Sequence, residues 1–117
     1  MEQLLLHLLG DYVLQNDWMA QNKTKSWLPA AVHALTYSLP FLLLHPSWGA
    51  WLVILSTHYL IDRYRLALYW IRVYNRVQVA GPFGYGEDKP HYMAFWLMVI
   101  IDNVFHLCIN YAALRYL

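Results

Sequence analysis

Three of the most apolar stretches of this chain each carry a histidine and an aspartate four residues apart. They are His7/Asp11 in LLLHLLGDYVL, His58/Asp62 in VILSTHYLIDRY and Asp102/His106 in MVIIDNVFHLCI. Residues four apart share one helix face, one turn apart. The order is His then Asp in the first two and Asp then His in the third. If these stretches are helices joined by short loops, the third runs antiparallel to the others. The reversal then places all three aspartates on one level of the bundle and all three histidines on the next. A charged group in an apolar helix costs several kcal/mol unless it is paired or bound to a cation, so three such pairs call for one explanation.

The composition points to a membrane. The chain of 117 residues is 60% hydrophobic and 17% aromatic. Only 13% of it is charged, about half the share of a soluble domain. A net charge of +1 gives no basis for nucleic-acid binding. Cys108 is the sole cysteine, which excludes a disulfide framework and a CxxC metal motif. The first segment lacks a basic n-region and a small-residue cleavage site, and is expected to be mature structure. The fold class expected is all-α: a polytopic four-helix transmembrane bundle forming one domain over residues 1–117. Its helices are expected over about 2–16, 27–44, 48–77 and 91–116. Ser26 and Ser47 are the expected N-caps of the second and third helices, with a kink at Pro40. The segment from Ala80 to Pro90, rich in glycine and proline, is the clear loop.

Charge sets the expected topology. Lys23 and Lys25 lie between the first two helices, and Arg63, Arg65, Arg72, Arg76 and Lys89 between the apolar parts of the last two. In a four-span arrangement both groups fall on one side, so the positive-inside rule puts these basic loops in the cytoplasm of a bacterial inner membrane and both termini outside. At 1.5 Å per residue, His33 lies roughly 10 Å and Asp102 roughly 16 Å from the cytoplasmic ends of their helices. Every helix thus brings a ligand-type residue into the cytoplasmic half of the bilayer.

Three pairs plus His33 give seven candidate metal ligands: His7, Asp11, His33, His58, Asp62, Asp102 and His106. One tetrahedral zinc takes about four ligands and a catalytic one about three. Seven suit two ions ~3.5–4 Å apart with a bridging aspartate, so one or two divalent ions are expected. Mixed imidazole and carboxylate ligation favours zinc, manganese or iron, with zinc placed first. Gln15 and Asn110 extend the faces of Asp11 and His106 by one turn, as supporting partners or substrate contacts. The plain alternative is a buried polar network that fixes helix packing. His45 and His91 read as interfacial, and Asp17 as a solvated loop residue.

The segments HLLGDYVLQNDWMA, AAVHALTY, THYLIDRYR and DNVFHL together resemble a family of small uncharacterised bacterial and phage membrane proteins. That family is marked by His-x-x-x-Asp-x-x-x-Gln near the N-terminus, a His-x-x-x-Asp helix and a late Asp-Gln-x-x-His, where Asn103 replaces the usual Gln. More distantly, the His-x-x-x-Asp helices are similar to those of membrane-bound metal-dependent hydrolases and of the zinc phospholipase C and P1 nuclease group. By that resemblance His7/Asp11 and His58/Asp62 are metal ligands.

The function expected is therefore a membrane-embedded metal-dependent hydrolase that cleaves a phosphoester or lipid headgroup with a metal-activated water. Asp62 or Asp102 is the candidate base, and Arg63, Arg65 and Gln15 are candidate substrate contacts. Membrane lipid is the expected partner, and a homo-oligomer is compatible with the sequence. The rivals are a non-enzymatic haem- or metal-ion-binding bundle and a structural protein with a buried His/Asp network.

Overall fold

The computed structural model describes residues 1–117, and it is all-helical; the only β pairing is an isolated bridge between Ala80 and Gly86. Helix α1 (Glu2–Leu8) runs straight into a π-helical turn over Leu9–Val13. A short α2 (Asp17–Asn22) precedes α3 (Trp27–Ser38), which tightens into a 3-10 segment over Leu39–Leu44. Then come α4 (Trp48–Tyr64), α5 (Leu66–Tyr74) and the long α6 (His91–Tyr116).

Local chemistry accounts for most of these boundaries. The Asn16 side chain accepts from the Met19 N–H at 2.9 Å and starts α2. The Ser47 hydroxyl accepts from the Ala50 N–H at 3.0 Å and starts α4. Ser26 occupies the N-cap of α3 but makes no side-chain capping bond. Pro40 has no N–H to donate, and around it the helix changes from α to 3-10 before His45 turns the chain with φ of 50°. Gly10, in the π-helical turn, sits against Tyr37: a Cβ there would lie 2.6 Å from Tyr37 Cδ2 and 3.1 Å from the Tyr37 carbonyl oxygen. Only glycine lets the two segments approach so closely.

The apolar core is small and lies between α3, the 3-10 segment, α4 and α6. It consists of Tyr37, Phe41, Ala50, Ile54 and Ala113. The alanines let the helix backbones come close, and the fully buried Phe41 and Ile54 each contribute roughly 1.5–3 kcal/mol. Directly beside this core the interior is polar: His7, Asp11, His33, His58, Asp62, His106 and Asn110 are all buried.

The four-span arrangement is not confirmed, and one expected helix is divided in two. Four spanning helices are expected, yet only Trp27–Leu44 and His91–Tyr116 are long and apolar enough to cross a membrane. Helix α1 has 7 residues and α4 has 17, both below the ~20 of a full span. The third helix, expected over 48–77, is broken at Arg65, whose φ of 52° ends α4 and starts α5 in a new direction. The outer surface is apolar to an unusual degree. Of the apolar window of α6 only 11% is buried, and Trp48, Val73 and Leu43 are each more than two-thirds exposed. Apolar surface this extensive on a small protein marks contact with lipid or with another protein.

Candidate metal centre

Four segments converge on the buried polar layer. Asp11 comes from the π-helical turn, His33 from α3, His58 and Asp62 from α4, and Asp102 and His106 from α6. A π turn inserts an extra residue into a helix and is found mostly at functional sites; here it carries Asp11 inward. His58 faces His106 with ring centroids 4.2 Å apart, while Asp62 and Asp102 share the His106 imidazole. That pairing is the antiparallel match read from the reversed order in the third stretch.

Four atoms form a cage. His33 Nε2 and His58 Nε2 are 2.9 Å apart. Asp11 Oδ1 lies 3.2 Å from the first and 3.3 Å from the second, and Asp62 Oδ2 lies 3.2 Å and 3.4 Å from them. A zinc held tetrahedrally at ~2.0–2.1 Å from each ligand has ligand-to-ligand edges of about 3.3–3.4 Å. The five cage distances come close to those edges. Asp11 Oδ1 has no hydrogen-bond partner although it is buried, and neither has His33 Nδ1. A buried carboxylate oxygen left unpaired among imidazole nitrogens is what a cation would satisfy. The cluster could hold a metal ion.

A residue that sequence reasoning passed over completes the electrostatics. Lys23, on the link between α2 and α3, reaches Asp62 Oδ2 with its ammonium at 2.6 Å. Burial alone would push the Lys23 ammonium down, but the Asp62 and Asp11 carboxylates outweigh it and hold it above the usual lysine range. Its side chain is 21% exposed against 3% for Asp62.

Residues 1–116 match a family described as protein of unknown function, DUF3307. The chain belongs to the DUF3307 family. No curated protein and no solved structure matches it. The family description carries no activity, and the likeness to metal-dependent hydrolases rests on the His-x-x-x-Asp spacing alone.

In this DUF3307 chain the seven expected ligands do not stand alike. Asp11, His33, His58 and Asp62 make the cage, and Asp62, Asp102 and His106 form a second group sharing Asp62. His7 stands to one side with both ring nitrogens occupied. Its Nδ1 lies 2.8 Å from the Tyr37 hydroxyl and its Nε2 3.0 Å from Asn103 Oδ1. The Asn110 amide donates to that same hydroxyl at 2.6 Å, so the hydroxyl proton goes to His7 Nδ1 and His7 carries its own proton on Nε2. His7 also lies 3.5 Å from Asp11 Oδ2, the carboxylate oxygen turned away from the cage.

The facing rings of His58 and His106 impose a further rule. Their Nδ1 atoms are 3.1 Å apart, so one must carry the proton that the other accepts. If His58 offers its Nε2 lone pair to the cage, its Nδ1 is protonated and donates to His106. His106 then carries its proton on Nε2, 3.0 Å from Asp62 Oδ1 and 3.3 Å from Asp102 Oδ2. The ring protons of His58 and His106 then both meet an acceptor. The two neutral imidazoles cannot both present Nε2 lone pairs while this contact holds.

A cleft of about 190 Å³ leads to the carboxylates. Asp11, Asp62 and Asp102 line its floor, Lys23, Gln15 and Arg65 its polar rim, and Leu68, Met98 and Val99 an apolar wall. Gln15 and Arg65, two of the expected substrate contacts, line this cleft. Arg63, the third, lies outside its lining and donates to the Thr24 carbonyl at 2.8 Å. Lys23 and Tyr37 carried no recognisable sequence signal: one reads as a solvated loop cation, the other as an ordinary core aromatic.

Proposed function

We propose that this protein holds one divalent cation in the Asp11/His33/His58/Asp62 cage, inside a membrane, and uses it to hydrolyse a phosphoester presented in the cleft. The observation that carries the cation is the cage itself: two imidazole nitrogens and two carboxylate oxygens with five separations of 2.9–3.4 Å, one oxygen otherwise unpaired; the cleft that opens on Asp62 and Asp102 carries the hydrolysis. Charge supports a single ion. Asp11, Asp62 and Asp102 against Lys23 leave two negative charges, which one divalent cation offsets. The proton rule at His58 and His106 favours the same count, since His106 then orients Asp62 and does not compete for the metal. Zinc is the first choice for this donor set, with manganese and iron behind it.

Membrane embedding is supported by the two helices able to cross and by the bare apolar surface of α6. We place the basic links at residues 23–25 and 63–89 on the cytoplasmic side, by the positive-inside rule. When bound, a divalent cation supplies a water of lowered pKa and polarises a phosphoryl oxygen. The chain's own residues would do the rest. Asp102, beside His106 and lining the cleft, would serve as the proton acceptor, and Lys23 would add positive charge to the cleft.

A second reading is a cation held for structure alone, and the completeness of the four-atom cage favours it, because structural zinc sites are closed. Haem suits the geometry poorly: imidazole nitrogens 2.9 Å apart leave no room for a macrocycle between them. The test is elemental analysis of detergent-purified protein together with a phosphoester hydrolysis screen. One equivalent of metal, lost in Asp11→Asn and His33→Ala, with turnover that tracks occupancy, is expected. Metal without turnover leaves the structural reading, and a metal-free protein that folds normally overturns both.

A further inference from the structure

We infer that the cleft beside the cage binds a phosphate-headed amphiphile and that Arg65 is the residue that recognises its phosphate. This rests on the reading above for a phosphoester in the cleft, and deepens it by naming the ligand class and the residue that holds it.

The first observation is backbone strain. Arg65 has φ of 52° and ψ of 52°, the left-handed conformation that glycine adopts freely and other residues only at a cost of ~1–2 kcal/mol. A helix break here needs no arginine. His45 and Arg76 share this conformation, but of the three only Arg65 lines the cleft, where strain points to a side chain kept for what it does there.

The second observation is that the guanidinium is uncommitted. It pairs with no carboxylate, and its one hydrogen bond is a long 3.3 Å contact to the Pro82 carbonyl. Its neighbour Arg63, by contrast, is tied to Thr24 at 2.8 Å. A planar fork of five donors with one weak partner is suited to two-point binding of a phosphate. The Lys23 ammonium lines the same cleft.

The third observation is the shape of the surroundings. The cleft of about 190 Å³ has room for a headgroup, less than the ~300–1,000 Å³ of pockets that enclose a drug-sized ligand. Its wall of Leu68, Met98 and Val99 includes the first turn of α5, which begins directly after Arg65. On the other side of α5 the residues Leu66, Tyr69, Trp70, Val73 and Tyr74 are all exposed, an aromatic-rich face of the kind found at the membrane–water boundary, which would hold the cleft at that level. The phosphate of a ligand would sit inside, and its apolar tails would leave past Leu68, Met98 and Val99.

The test uses the full chain in a detergent without phosphate, loaded with zinc. Dihexanoyl phosphatidic acid, inorganic phosphate and dihexanoylglycerol are titrated calorimetrically into wild type, Arg65→Gly, Arg65→Lys and Arg63→Ala. The phosphatidic acid is expected to bind at least tenfold more tightly than inorganic phosphate, and dihexanoylglycerol not measurably. Arg65→Gly is expected to lose at least tenfold in affinity while its Tm holds or rises, since the strain is gone; Arg65→Lys falls between, and Arg63→Ala matches wild type. Wild-type binding in Arg65→Gly overturns the role of Arg65. Equal binding of inorganic phosphate makes this a soluble-anion site, and equal binding of the phosphate-free lipid makes it a plain apolar groove; either result overturns the amphiphile. Metal content measured on the same samples judges the earlier reading separately. Arg65-dependent lipid binding by a metal-free chain keeps this inference and removes that one.

Discussion

Tyr37 lies flat on His58, with ring centroids 3.6 Å apart and planes 8° from parallel. The same tyrosine abuts Gly10, accepts a hydrogen bond from Asn110 and donates one to His7. One side chain thus fixes the tilt of a cage imidazole and the tautomer of a neighbouring one. Replacing it separates these duties. Tyr37→Phe keeps the stack and strands the buried Asn110 amide and His7 Nδ1, a loss of about 1–3 kcal/mol. Tyr37→Ala also opens a cavity in the core, a loss of about 3–5 kcal/mol. Denaturant unfolding in detergent measures both, and metal content is expected to survive in Phe and fall in Ala.

Gly10 tests the close approach on the opposite side. Gly10→Ala puts a methyl group against the Tyr37 ring and backbone, and the backbone cannot yield as a flexible side chain would. A destabilisation of about 1–3 kcal/mol is expected, as for other overpacked sites, and a lower Tm reports it.

His106 is expected to behave differently from the cage residues. It touches Asp62 through a proton on Nε2, so its removal disorients a ligand without deleting one. Substitution of a group supporting a metal ligand lowers affinity about 10–100-fold. His106→Gln is therefore expected to load metal at raised concentration, whereas His33→Ala does not load at any. Competition with a chelator of known affinity distinguishes the two.

Lys23 makes a prediction about metal and stability together. Without its ammonium the three carboxylates lean wholly on the cation, so chelator should lower the Tm of Lys23→Met more than that of wild type. A ligand that binds only the folded state adds stability as its concentration rises, and the two melting curves should converge in excess metal. Because the Lys23 ammonium is held above the usual lysine range, its contribution is complete at neutral pH. It is lost only as pH climbs through that raised value, so a fall in stability between pH 7 and 9 would have another origin.

The buried His/Asp cluster was legible in the sequence because a spacing of four needs only a helix to bring two side chains together, and the reversed third pair needs only an antiparallel neighbour. Asp11, His58, Asp62 and His106 follow from that alone. What was not legible depends on how far a side chain reaches or on a backbone choice with no local marker. Lys23 is 39 positions from Asp62 in the chain and arrives on a flexible stem. The break at Arg65 carries no glycine or proline to announce it, so the third helix reads as continuous. Spacing alone does not set His7 apart from the rest, because its two protein partners, Tyr37 and Asn103, lie on other helices. The hydrophobic pattern marked the apolar stretches but not which of them form helices long enough to cross a membrane.

All four cage atoms belong to residues between Asp11 and Asp62, and α6 supplies only groups around them. A chain ending before α6 would therefore already carry every atom of the cage, and α6 would add only the groups that orient and enclose it.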